Sequence, residues 1–210
     1  MIDWTTVADL GTAAGTLVLA IATFASVRSG NRSARLAERA LQIGIRPVLA
    51  SSRLEDSPIK IMFGDQHWVK VEGGCAVAEV TDTAIYLALG LRNVGAGIAV
   101  LHGWRFYPHL SSIAEPPDDL DRFQLQTRDM YISANDAGFW QGALRDPNQH
   151  EFEAARRRIE AGEPSTLDLL YGDHEGGQRA ISRFSLVARS DHQWLASVVR
   201  HWNLDRADPR

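Results

Sequence analysis

The sequence contains a single cysteine, Cys75, among its 210 residues. One cysteine excludes an internal disulfide framework and a zinc site built from four cysteines. An excess of basic residues is also missing, because the formal net charge is -4 and the pI is near 6.0. The chain therefore lacks the basic character of most nucleic-acid-binding proteins, and we predict no nucleic-acid partner.

Long hydrophobic runs are rare, with one exception near the N-terminus. The composition is 45% hydrophobic and 23% charged, close to the globular average, which excludes a disordered chain and a polytopic membrane protein. The exception is Leu10–Val27, 18 residues without a charge. As a helix it would be about 27 Å long, just enough to cross the hydrocarbon core of a bilayer.

Three alternatives to a transmembrane segment exist for this stretch. A mitochondrial-type presequence would be rich in arginine from its start, which this stretch is not. A cleaved signal peptide needs a basic N-terminal region, but residues 1–9 contain Asp3 and Asp9 and no lysine or arginine. A buried core helix of this length usually has polar residues on one face, whereas this segment has only threonine, serine and glycine. We therefore predict a single transmembrane helix.

Arginines follow the predicted span, at Arg28, Arg32, Arg35, Arg39 and Arg46. Basic residues close to a span stay in the cytoplasm, so we predict a plasma (inner) membrane protein with its N-terminus outside and its large C-terminal part inside. The first four are spaced by four, three and four residues, which aligns them on one face of a juxtamembrane helix. This face is predicted to contact anionic lipid headgroups, although a solvated helix face has the same pattern.

Two glycines of the span, Gly11 and Gly15, form a G-x-x-x-G motif that permits close approach of two helices. The motif leaves self-association and a membrane-protein partner open, in addition to the lipid bilayer itself. The helix is predicted to end at Gly44, just before Arg46-Pro47.

Beyond Pro47 the hydrophobic period changes from 3.6 to 2, most clearly where Ile85, Leu87, Leu89 and Leu91 alternate with other residues. About eight short strands separated by turn residues predict an antiparallel β-sandwich or small barrel. The other strands are predicted at 59–63, 67–71, 75–80, 98–107, 126–132, 167–171, 180–188 and 194–202. One helix, His150–Ala161, is predicted to cover the β-domain, with Asp146 and Gln149 capping its start and Gly162 ending it. An acidic loop is predicted over Pro108–Asp121.

The chain is therefore predicted to be mainly β with two parts. Residues 1–46 form the transmembrane and basic juxtamembrane helices, and residues 47–210 form the cytoplasmic β-domain. The first part has five arginines against three acidic residues, a balance of +2, and the second has 17 basic and 23 acidic residues, a balance of -6.

One motif resembles a dinucleotide-binding loop, because Gly95 and Gly97 follow a predicted strand. The third glycine of such a loop is replaced by Val100, and a strand rather than a helix follows. We interpret the two glycines as a tight connection between strands and predict no cofactor.

The densest group of chemically capable side chains is Asp173, His174 and Glu175 in the segment Tyr171–Arg179. They could bind a metal or exchange protons if His192 or His201 lay nearby. Adjacent side chains point in different directions, and the segment has the residues of a hairpin loop, so the loop is the favoured interpretation and no metal site is predicted.

Several blocks resemble a group of uncharacterised bacterial membrane-anchored proteins, with similarity to members from high-GC actinobacteria. These blocks are the weak span, the helix ending at Arg46-Pro47, and 91–99, 138–145, 171–178 and 199–204. Twenty arginines against two lysines fit such an origin. The resemblance implies the architecture and no catalytic residue.

The sequence favours a membrane-anchored β-domain that acts as a protein- or ligand-interaction module. A membrane-tethered metal-dependent or hydrolytic enzyme that uses the Asp173–Glu175 loop is the less favoured alternative. A third is an accessory subunit of a membrane complex, held through Gly11 and Gly15.

Overall fold

The computed structural model describes residues 4–111, 116–117, 119–190 and 192–205. Parts of the Pro108–Asp121 loop lie outside the described residues. The chain divides into two compact units, Met1–Gly44 and Ile45–Arg210.

The described part of the first unit is one helix, α1 (Trp4–Gly44), of 41 residues. At 1.5 Å per residue it is about 62 Å long, so it runs without a break through both the predicted span and the arginine-rich segment. Its end at Gly44 is as predicted. Within the helix, the hydroxyls of Thr16 and Thr23 each donate a hydrogen bond of 2.8 Å to the carbonyl four residues earlier. These hydroxyls are therefore satisfied without water.

The second unit is mainly β and antiparallel, as predicted, and its described residues include one α-helix, α2 (His150–Glu160). A short 3-10 helix, Leu120–Arg122, precedes the seventh strand. The strands are β1 Leu49–Ser51, β2 Ile59–Met62, β3 Trp68–Val71, β4 Cys75–Val80, β5 Ile85–Asn93, β6 Ala99–Tyr107, β7 Gln124–Ile132, β8 Ala137–Leu144, β9 Ser165–Gly172, β10 Ala180–Ser190 and β11 Gln193–Asn203.

Nine of these strands form one sheet in the order β1-β5-β4-β11-β10-β9-β6-β7, with β8 paired to β5. The sheet curls into a half-barrel. Strands β7 and β8 lie at the ends of the pairing sequence, although they follow one another in the chain. The remaining two strands, β2 and β3, form a separate hairpin.

Both faces of strand β5 are buried. Ile85, Leu87, Leu89 and Leu91 belong to the main core inside the curled sheet. Tyr86 and Ala88 point the other way and are covered by the β2–β3 hairpin, whose Ile61, Phe63, Val69 and Val71 pack against them. The β-domain therefore has a main core on one face of β5 and a smaller core on the other face, under the hairpin.

A polar cluster centred on Asp65 holds the β2–β3 hairpin against β5. The Asp65 carboxylate accepts hydrogen bonds of 2.6 Å from the Tyr86 hydroxyl and 2.5 Å from Arg145, and His67 stacks on Tyr86 at 3.9 Å. The hydrogen bonds from Tyr86 and then Arg145 hold the pKa of Asp65 well below its usual range. The same contact with Asp65 raises the pKa of Tyr86.

A lowered pKa in the folded state predicts a specific acid sensitivity. Asp65 stabilises the fold fully above its unfolded-state pKa, about 3.9, and this contribution disappears as pH falls toward the lower folded-state pKa. We therefore expect Asp65→Asn to flatten the decline of Tm below about pH 4. Asp82→Asn, an exposed position on the β4–β5 turn, is the control and should keep the wild-type slope. A wild-type slope in Asp65→Asn would contradict the assignment.

Helix α2 covers the core as predicted, with Phe152, Ala155 and Ile159 buried. Its C-terminal end is also as predicted, because Gly162 follows with φ +64. The predicted N-terminal cap was wrong. Asp146 accepts a hydrogen bond from the Asn148 amide and so closes a turn before the helix, while Gln149 is itself the N-cap residue and makes no side-chain cap.

The two glycines that resemble a dinucleotide loop connect β5 to β6, as interpreted from the sequence. A Cβ at Gly95 would meet the Arg46 carbonyl and one at Gly97 the Ile45 carbonyl, so glycine permits the approach of the chain entering the β-domain. The buried Asn93 side chain stabilises this connection through hydrogen bonds. It accepts from the Val48 amide and donates to the carbonyls of Gly97 and Ile132.

Candidate functional site

The predicted Asp173–Glu175 segment lies in the loop between β9 and β10. Asp173 is buried, and its Oδ1 accepts hydrogen bonds from the amides of Glu175 (3.1 Å) and Gly177 (2.8 Å). Its Oδ2 accepts a third, of 3.2 Å, from the Gln178 side chain. The Asp173 carboxylate therefore stabilises the turn by accepting hydrogen bonds from it, in agreement with the interpretation of this segment as a hairpin loop.

The other members of the predicted group do not join Asp173. His174 and Glu175 are exposed, and His192 lies in a different turn, between β10 and β11, with φ +65. Within the part of the chain that the structure describes, no three His, Cys, Asp or Glu side chains are arranged to hold a metal ion. The geometry therefore gives no support to the metal-dependent alternative.

His201 belongs to a buried polar network beside β1. Its Nδ1 lies 2.7 Å from the Ser182 hydroxyl, which lies 2.9 Å from the Tyr171 hydroxyl. These two hydroxyls also bond to the backbone of Leu49, Tyr171 through the amide at 3.2 Å and Ser182 through the carbonyl at 3.3 Å. The network anchors the first strand of the β-domain to β9, β10 and β11.

The pairing of a serine with a histidine resembles part of a hydrolase site, but its burial argues against nucleophilic catalysis. Ser182 is 0% exposed, so its oxygen cannot reach a substrate in this conformation. Burial also raises the pKa of Tyr171, which keeps its hydroxyl neutral. We interpret Ser182 and His201 as structural.

A half-buried histidine that the sequence did not single out, His102, faces the same loop. Burial lowers the pKa of His102, and Arg179 lowers it further, against the opposing charges of Asp129 and Asp173. A Cβ at Gly172 would lie 2.9 Å from the His102 Nε2. The ring is therefore packed against the β9–β10 loop as a neutral side chain.

The most deeply buried charges were also missed by the sequence analysis. Asp168 on β9 and Arg183 on β10 are cross-strand neighbours, joined by two hydrogen bonds of 2.7 Å, and are 0% and 3% exposed. Burial raises the pKa of the Asp168 carboxyl, and the Arg183 guanidinium opposes that rise. The guanidinium lies over the rings of Trp202 (4.7 Å) and Tyr107 (5.5 Å).

A cleft of about 520 Å³ lies between the end of α2 and the β10–β11 hairpin. Its apolar lining includes Val80, Ile159 and Trp194, and Arg189 and the predicted candidate His192 contribute polar groups. This volume is within the range of small-molecule sites, about 300–1,000 Å³. Glu160 also lines the cleft, so its polar groups carry both signs of charge and indicate no particular ligand.

The predicted membrane residues all lie on α1. Arg28, Arg32 and Arg35 are exposed, and together with Arg39 they fall within about 60° around the helix axis. The side chain of Arg39 lies outside the described part. A Cβ at Gly11 or Gly15 would meet no neighbouring atom within 4 Å, so this face of the helix is open. Self-association through it stays a prediction.

Comparison with known proteins adds little to this picture. No protein-family model matches the chain, and no curated protein matches it. A crystal structure of a protein from Archaeoglobus fulgidus matches 63% of this chain and 94% of its own, with 12% identity and a TM-score of 0.25. A TM-score of this size supports no inference. The residues of this chain are therefore the basis for inferring its function.

Proposed function

We propose that the protein is a single-pass membrane protein that presents its β-domain in the cytoplasm as a module for binding a protein or ligand. The observation that supports this most strongly is the apolar surface of α1. Gly11–Glu38 contains an 18-residue window of mean hydropathy 1.3, long and apolar enough to span a membrane, and none of the segment is buried within the protein. A core helix of a soluble protein would be mostly buried, which argues against that alternative.

The energetic argument follows from the exposed side chains. Leu17, Leu19 and Phe24 are 62%, 69% and 68% exposed. Apolar area costs about 25 cal/mol per Å² in water, so a continuous apolar helix surface is stable only when something apolar covers it. Lipid hydrocarbon is such a cover, and the internally satisfied threonine hydroxyls are compatible with it.

The orientation is inferred from charge. Arginines follow the apolar stretch and none precedes it, so the positive-inside rule assigns the β-domain to the cytoplasm. The buried thiol of Cys75 fits a reducing compartment. An interaction role is favoured over catalysis because Asp173, Ser182 and His201 are used in holding the fold together.

The anchoring part of the proposal is tested by fractionating cells that express the full chain. We expect the protein in the membrane pellet after an alkaline carbonate wash and in the supernatant only after detergent. Deletion of residues 1–27 should transfer it to the soluble fraction. A full chain that is soluble without detergent would contradict the proposal.

The interaction part is tested by purification from native membranes in mild detergent. We expect the same binding partner to be recovered with wild type and with His174→Ala, which removes an exposed imidazole without disturbing the fold. Loss of the partner in that variant would instead favour a role for the β9–β10 loop. Recovery of a bound small molecule instead of a protein would favour the ligand-binding form of the module.

A further inference from the structure

The half-barrel has an open seam between β7 (Gln124–Ile132) and β8 (Ala137–Leu144). Within the described residues, β7 is paired only with β6, and β8 only with β5. The two strands are consecutive in the chain and stand at the two ends of the half-barrel sheet, and no ladder of backbone pairs joins them. Each strand therefore presents one edge to the seam.

Side chains take the place of the missing backbone ladder. Gln126 Nε2 donates a 3.0 Å hydrogen bond to the Gln141 carbonyl, and Arg128 donates one of 3.1 Å to Gln141 Oε1. The other amide atom of Gln126, Oε1, is buried and has no hydrogen-bond partner among the described residues. A buried acceptor without a donor costs about 1–3 kcal/mol, and an incoming N–H would satisfy it.

The pairing of β7 with β6 is irregular beside this seam. Its pairing with β6 shifts between Met130, which lies opposite Leu101, and Leu125, which lies opposite Gly103. Four residues of β7, 126–129, therefore face a single residue of β6, His102. A bulge of this kind bends the strand and leaves its extra residues outside the regular ladder.

A cavity of about 250 Å³ lies in the seam. Its walls are the strand segments 124–127 and 141–143, and Trp104 and Phe63 supply aromatic surface. The volume is below the range of about 300–1,000 Å³ for small-molecule sites, whereas strand edges offer the hydrogen-bonding groups that an extended backbone uses. Leu125, on the cavity wall, is 78% exposed.

We propose that the seam binds an extended peptide segment of a partner protein, which lies between β7 and β8 as an added strand. The peptide would displace the hydrogen bonds from Gln126 and Arg128 to Gln141, and its backbone groups would pair with the two strand edges and with the freed Gln126 amide. An apolar side chain of the peptide would enter the cavity toward Trp104. This inference rests on the proposed function and names the class of partner. The charged bulge residues Arg128 and Asp129 protect this edge against indiscriminate pairing.

The test uses the full chain in lipid nanodiscs and a phage-displayed library of random dodecapeptides as the probe. Peptides enriched over empty nanodiscs are synthesised, and their affinity is measured for a variant with Gln126→Cys and Gln141→Cys. The two cysteines are joined by a reducible bismaleimide crosslinker, which closes the seam. Cys75 is 0% exposed and should not react.

The control carries the same crosslinker on the β2–β3 hairpin, at Lys60→Cys and Lys70→Cys, which are cross-strand neighbours on an exposed face. We expect closure of the seam to weaken binding at least about tenfold, with recovery on reduction and no change in the control.

Failure to enrich any peptide, or equal binding to the closed seam, would overturn the inference. A dimer of this chain that dissociates on closure would overturn it in favour of a second copy. None of these outcomes alters membrane fractionation, so failure here is distinguishable from failure of the proposed function.

Discussion

Exchanging the charges that flank the span is expected to invert the protein in the membrane. The variant removes three arginines after the span and adds three lysines before it. The substitutions are Arg28→Gln, Arg32→Gln, Arg35→Gln, Thr5→Lys, Thr6→Lys and Asp9→Lys. Because the bias of lysine and arginine near a span determines its orientation, most molecules should then expose the β-domain outside the cell. A C-terminal alkaline phosphatase fusion, active only outside, should gain activity, and a C-terminal green fluorescent protein fusion should lose fluorescence.

The matched control replaces three consecutive arginines in another helix, Arg156, Arg157 and Arg158 of α2, by glutamine. It changes the total charge of the chain without altering the charges that flank the span. We expect the wild-type orientation in this control. An unchanged orientation in the exchanged variant would contradict the role assigned to the arginine stripe of α1.

Removing one partner of the buried ion pair is expected to cause the largest loss of stability. Asp168→Asn keeps the volume of the side chain but leaves Arg183, 3% exposed, without its carboxylate. Breaking a buried pair costs about 3–5 kcal/mol, and in a domain of this size 1 kcal/mol corresponds to about 2–4 °C. We expect Tm, followed by tryptophan fluorescence in detergent, to fall by about 6 °C or more.

Two further variants separate this effect from a general effect of lost charge. Glu160→Gln breaks an exposed pair with Arg156 on α2, which is worth about 0–1 kcal/mol, so its Tm should stay close to that of wild type. Replacing both buried partners, with Asp168→Leu and Arg183→Met, should recover most of the lost stability because no unpaired charge remains. A double variant as unstable as Asp168→Asn would contradict this account.

The architecture was predictable because it depends on local periodicity. The 18 uncharged residues at Leu10–Val27 gave the helix, and the alternation around Leu87 gave the clearest strand. Two strands were missed, β1 and β8. The first has only three residues, and the second contains Gly138 and Gly142, which have low strand propensity. A Cβ at Gly142 would collide with Trp104 and Trp140, so tertiary packing rather than local preference explains that glycine.

The candidate sites were less predictable because they depend on strand register. Asp168 and Arg183 are 15 residues apart and become partners only through the pairing of β9 with β10. Ser182 and His201 meet in the same way through the pairing of β10 with β11. The sequence indicated a candidate site in the loop that contains Asp173, His174 and Glu175. In the structure, the Asp173 carboxylate accepts hydrogen bonds from the backbone amides of its own loop.

The seam was not predictable from the sequence, because it exists only where the consecutive strands β7 and β8 do not pair with each other. A four-residue loop, 133–136, joins β7 to β8, and such a loop normally predicts a paired hairpin. Here β7 has a bulge and pairs with β6, while β8 pairs with β5, so the two strands do not form a hairpin ladder. The physical reason lies in contacts distant in sequence, which a local pattern does not encode.

The central claim is that α1 crosses the membrane with the β-domain on the cytoplasmic side. Trypsin added to intact spheroplasts and to inside-out vesicles, with the β-domain followed by an antibody, tests it most directly. The account predicts that the domain survives in spheroplasts and is digested in inside-out vesicles, as an exposed cytoplasmic domain with many arginines should be. Digestion in intact spheroplasts, or release of the domain from the membrane before any protease is added, would contradict it.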